Sequence, residues 1–76
     1  MKEKMKEKEY VLYVYRRKDG VFHSSGKHSQ GKFKNDKKAQ KAFLQEARDF
    51  KKDNGFDFVQ IAIYQGIYLV CRKTLP

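Results

Sequence analysis

Between positions 10 and 15 every residue is Tyr, Val or Leu, a set that favours extended backbone. Asp19-Gly20 follows closely, and this dipeptide supplies the two positive-φ positions of a tight hairpin turn. The pattern predicts that residues 10–18 pair with residues 21–25. A two-residue turn sets Arg17 across from Phe22 and Arg16 across from His23. Val11, Tyr13, Tyr15, Arg17 and Phe22 then share one face, and Tyr10, Leu12, Val14, Arg16 and His23 the other.

Residues 24–34 contain two Gly and three Ser with no periodicity, which reads as a loop. Beyond them the apolar spacing becomes helical, with Ala39, Ala42, Phe43, Ala47 and Phe50 forming one stripe. Asn35 or Asp36 is placed to cap the start, and Gly55, after Asn54, to end the helix in the left-handed conformation. Residues 56–64 and 67–73 read as two more strands around a turn at Gln65-Gly66.

Pairing Tyr64 with Ile67 puts Val59, Ile61, Ile63, Tyr68 and Val70 on one side of that hairpin. Phe58, Ala62, Tyr64, Ile67, Leu69 and Cys71 fall on the other. Both sides are apolar, and one helix covers only one of them. The second is then an exposed aromatic surface, a homodimer contact, or a face covered by the N-terminal residues.

The expected fold is a small α+β domain of order ββαββ, an antiparallel sheet of two hairpins packed against one helix. It spans residues 10–76, and the alternating Lys and Glu of residues 1–9 read as a charged flexible tail. A chain of 76 residues has room for one domain. Its 39% apolar content argues against disorder.

Charge narrows the choice of partner. The chain carries a net charge of +9 with a pI near 9.8, and nucleic acid is the polyanion a basic domain most often meets. Residues 16–38 hold eight cations against Asp19 and Asp36, six of the nine net charges. These cations, Arg16, Arg17, Lys18, Lys27, Lys32, Lys34, Lys37 and Lys38, are the expected phosphate contacts. Lys37 and Lys38 sit in the first helical turn, where the macrodipole disfavours cations and a bound phosphate would relieve them.

Tyr13, Tyr15 and Phe22 lie among these charges as candidate base contacts. They are placed either to stack on unpaired bases or to enter a duplex groove from their strands. Should the register turn Tyr13 and Tyr15 toward the helix instead, they become core.

Other chemistries lack their parts. Gly26 to Lys32 satisfies the first seven positions of a phosphate-cradling GxxxxGK loop, but Phe33 stands where the magnesium-binding hydroxyl belongs. His23, His28 and Cys71 lack the paired short spacing of a zinc site. No carboxylate or histidine pair suits acid–base catalysis, so the expectation is a non-enzymatic protein without a cofactor. The single Cys71 reads as a small core residue. Neither a signal peptide nor an apolar run of membrane length is read, and the expected location is the cytoplasm, with no membrane partner.

The order Tyr15-Arg16, Asp19-Gly20, Phe33, Lys37-Lys38-Ala39 and Phe43-Leu44 resembles the arm-type, AP2-like DNA-binding domains at the front of tyrosine integrases, over about half the chain. The resemblance implies a sheet that meets DNA, in a phage or mobile element. The expectation is thus a nucleic-acid-binding module, DNA ahead of RNA. The alternative is a small protein-interaction module or inhibitor that dimerises or binds a partner through the second apolar face.

Overall fold

Four strands and one helix account for nearly all of residues 7–75, the part of the chain described by the computed structural model. They run β1 (Lys8–Lys18), β2 (Val21–Phe33), α1 (Asp36–Asn54), β3 (Phe58–Gln65) and β4 (Tyr68–Leu75). The sheet is antiparallel with order β2-β1-β3-β4, and α1 packs on one side of it. The expected ββαββ domain is therefore present.

Alternation in β1 decides the inside. Tyr10, Leu12 and Val14 are fully buried, as are Val59, Ile61 and Ile63 of β3, against Ala39, Phe43 and Ala47 of α1. Tyr13 and Tyr15 therefore belong to the open face and are not core beneath the helix. Ala42, expected in the helix stripe, is exposed. A side chain of one methyl loses little by facing water.

The first hairpin turns as its sequence predicts, with Asp19 at φ 54 and Gly20 at φ 79, and Arg17 pairs with Phe22 and Arg16 with His23. Asp57 secures this turn: its carboxylate accepts from the Asp19 N–H at 3.0 Å, and its own N–H donates to the Arg17 carbonyl at 2.9 Å.

Three expectations change. Residues 24–33 are strand, not loop: β2 pairs with β1 as far as Lys8↔Phe33. The pairing runs through the backbone, which gives the N–H and C=O groups on this side of β1 their partners whatever the side chains opposite. Register shifts between Leu12 and Tyr13 and between Tyr13 and Tyr15 fit the 13 residues of β2 against the 11 of β1. Each shift interrupts the alternation by which a strand is recognised.

The second turn is Gly66-Ile67, not Gln65-Gly66, with Gln65 paired to Tyr68. Gly66 takes φ 62 at the first central position, where a type II′ turn requires it. A further irregularity between Ile63 and Tyr64 sets Cys71 opposite Ile63. Cys71 thus packs against the core and leaves the face it was expected to share with Tyr64.

Finally, β1 begins at Lys8, so Lys8 and Glu9 are strand and not tail. The first six residues of that expected tail lie outside the described residues.

Candidate nucleic-acid interface

The uncovered face of the sheet is built in rows, because residues paired across antiparallel strands point the same way. The end row is Phe22, Arg17 and Phe58; the next joins Tyr15 to Gln60 and Thr74. Then come Lys27, Tyr13, Ala62 and Arg72 across all four strands, followed by Gln30, Val11, Tyr64 and Leu69. Lys32 opposite Glu9 closes the series. Glu9 is the one carboxylate in these rows among the described residues, against the cations Arg17, Lys27, Lys32 and Arg72.

The side chains of the end row hold one another in place. The Arg17 guanidinium lies 5.7 Å from the Phe22 ring centre and 5.4 Å from that of Phe58, and the two rings meet edge to face at 5.9 Å. Such contacts hold a guanidinium by its faces and leave its in-plane donors for an anion. Among the described residues nothing accepts a hydrogen bond from it.

Tyr13 and Tyr64 meet edge to face at 5.6 Å. With Tyr15, Gly66 and Ile67 they line a shallow recess of about 360 Å³. Ala62, between Tyr13 and Arg72, is small enough for these rings to settle over the sheet. Lys27 Nζ donates to Gln30 Oε1 at 2.6 Å along the edge strand.

No family model, curated protein or solved structure matches this chain. What the site does must come from its own chemistry.

The structure divides the expected contacts between two sides. Tyr13, Tyr15, Phe22, Arg17, Lys27 and Lys32 share the open face. Arg16 faces the helix side, its guanidinium 5.7 Å from the ring centres of both Phe50 and Phe56. Lys18 donates to the Asn54 carbonyl at the end of α1, at 3.0 Å. Lys34 lies in the connection to α1, and Lys37 and Lys38 are exposed on its first turn.

Gly26 to Lys32 lies within β2, so it has no phosphate-cradling loop. His28 packs at 4.6 Å on the Phe50 ring, with Nε2 3.5 Å from Glu46 Oε2. His23 is paired with Arg16 at the hairpin end and Cys71 with Ile63 on β4, so the three are not clustered. Arg72 is the addition that the sequence did not suggest: pairing Tyr64 with Ile67 would have set it opposite buried Val59.

Proposed function

We propose that this chain is a non-enzymatic nucleic-acid-binding module that uses the open face of its sheet. The observation carrying the proposal is the row Lys27, Tyr13, Ala62 and Arg72, with cations on both outer strands and aromatic surface between them. Cations at the rim meet phosphates, and rings at the centre offer base faces. Arg17, Lys27, Lys32 and Arg72 are the phosphate contacts of this face, and Tyr13, Tyr15 and Phe22 its base contacts. Lys34, Lys37 and Lys38 add to long-range attraction from the helix side.

The pattern shared with the arm-type domains of integrases supports DNA and a phage or mobile-element setting. We place the protein in the cytoplasm, where a lone thiol stays reduced. No helix among the described residues is long and apolar enough to cross a membrane.

A salt titration tests the reading. Binding to DNA weakens linearly in log–log form between low and moderate salt. Replacing both Lys27 and Arg72 by Gln lowers the slope by between about 1.4 and 1.8, roughly 0.7 to 0.9 for each phosphate that is no longer neutralised. The same change at Lys37 and Lys38 leaves most of the slope. Binding indifferent to salt, or absent at low salt, refutes the proposal.

A second reading, contact with a protein partner or another copy, is supported by the apolar tip at the second turn. There Ile67 is 89% exposed and Tyr68 71%.

A further inference from the structure

We infer that the open face takes an unpaired strand in preference to a duplex, and that about three successive bases stack along β1. The inference rests on the nucleic-acid reading above and adds the strandedness and length of the ligand. Tyr13 and Tyr15 lie two residues apart on β1, Phe22 belongs to the row beyond Tyr15 and Tyr64 to the row beyond Tyr13. Two residues of extended strand advance by ~6.8 Å, twice the ~3.4 Å between neighbouring bases of a duplex strand. Bases still stacked on one another cannot each cover a ring at that spacing. A single strand can open to it and replace base–base contacts with base–tyrosine contacts.

From the row of Arg17 to the row of Val11 the strand advances six residues, ~20 Å, three such intervals, which accommodates about three to four bases. Access is greatest at the hairpin end, where Phe22 is 65% and Tyr15 39% exposed, while Tyr13 and Tyr64 are half-buried.

Width also decides against the groove of a duplex. Four strands spaced ~4.8 Å apart place the outer two ~14 Å from each other before side chains are added. The major groove is ~12 Å wide and admits a helix or a two-stranded ribbon. A flat face this broad enters an undistorted groove with no more than two of its strands, or requires the duplex to deform. A strand laid along β1 instead has Lys27 on one side and Arg72 on the other within reach of its phosphates.

The test compares labelled oligothymidylates of 2 to 12 nucleotides with a 12-base-pair duplex, by fluorescence anisotropy at low salt. Affinity rises steeply to about three or four nucleotides and afterwards only with the number of available registers. The single strand binds at least tenfold tighter than the duplex. Tyr15→Ala and Phe22→Ala, both at exposed positions, each weaken the single strand by roughly 5- to 150-fold, the range carried by one base–aromatic stack.

Neither variant changes the salt slope, and Tyr15→Phe retains wild-type affinity. Because the chain has five Tyr and no Trp, quenching of tyrosine fluorescence on binding reports the stacking directly. Equal or tighter duplex binding, with Tyr15→Ala and Phe22→Ala silent, overturns this inference and leaves the nucleic-acid reading standing. Failure to bind either polymer removes both.

Discussion

Tyr10 joins the two layers of the molecule through a single hydroxyl. It is fully buried, its ring meets Phe33 edge to face at 5.9 Å, and Phe33 meets Phe43 of the helix at 5.2 Å. Its O–H donates to Asp36 Oδ1 at 2.7 Å, where the helix begins. Burial first, then the bond to Asp36 and its charge, push the phenol pKa up to about 12. An unfolded tyrosine titrates near 10, so between pH 10 and 12 the unfolded chain releases a proton that the folded chain keeps. Stability present below pH 10 is lost as pH rises through that window. The thermal unfolding midpoint therefore declines more steeply from pH 10 to 12 in the wild type than in Tyr10→Phe. At neutral pH this variant is itself less stable by about 1 kcal/mol, as expected when one hydrogen bond is removed. Parallel alkaline profiles would refute the assignment. Alternation grouped Tyr10 with Leu12 and Val14 but left open which face of β1 lies under the helix, and the partner 26 residues away depends on how α1 crosses the sheet.

Among the elements, α1 is set by residues at its two ends. Asn35 Oδ1 accepts from the Lys38 N–H at 2.9 Å, and Gly55, at φ 66, donates its N–H to the Lys51 carbonyl at 2.9 Å. Asn35→Ala is expected to cost about 1 kcal/mol in urea unfolding, and Asn35→Asp or Asn35→Ser to restore most of it. An unchanged midpoint for the alanine variant would show that the cap carries no stability. The C-cap was readable, and the N-cap narrowed to Asn35 or Asp36, because each depends on the chemistry of one residue and its neighbours. The strands were less so: β2 hides its period behind two shifts, and β4 is displaced by Gly66 and the irregularity beside Tyr64. An error of a few residues in register moved Arg72 to the wrong side of the sheet and so out of the expected site. The first turn, where Asp19-Gly20 admits one tight geometry, was read correctly together with the pairs beside it, Arg17 with Phe22 and Arg16 with His23, but not the length of β2 beyond them.

On the scale of the molecule, charge is distributed unequally between two faces, and the sequence showed where along the chain it is concentrated but not how the fold divides it. The sequence indicated a polyanion as partner. The fold separates the eight expected cations, leaving Arg17, Lys27 and Lys32 with the aromatic rows and the rest on or beside the helix layer. This division also bears on self-association. The chain should sediment as a monomer at micromolar concentration in moderate salt, because two copies meeting through the open face would bring like charges together. A concentration-dependent dimer, abolished by Leu69→Lys, would instead favour the protein-interaction reading.

The shifts in β2 matter beyond the register they set. Both outer strands of the sheet carry hydrogen-bonding groups that could template further strands from other molecules, the first step toward fibrous aggregates. The bulged backbone of β2 presents those groups out of step, and Lys27 and Lys32 project beside them. On the opposite border, Arg72 and Lys73 interrupt the apolar run of β4. These features oppose polymerisation of a protein with so aromatic an open surface, and an anion that neutralised these border charges would weaken the safeguard, with the kinks of β2 remaining as its mechanical part.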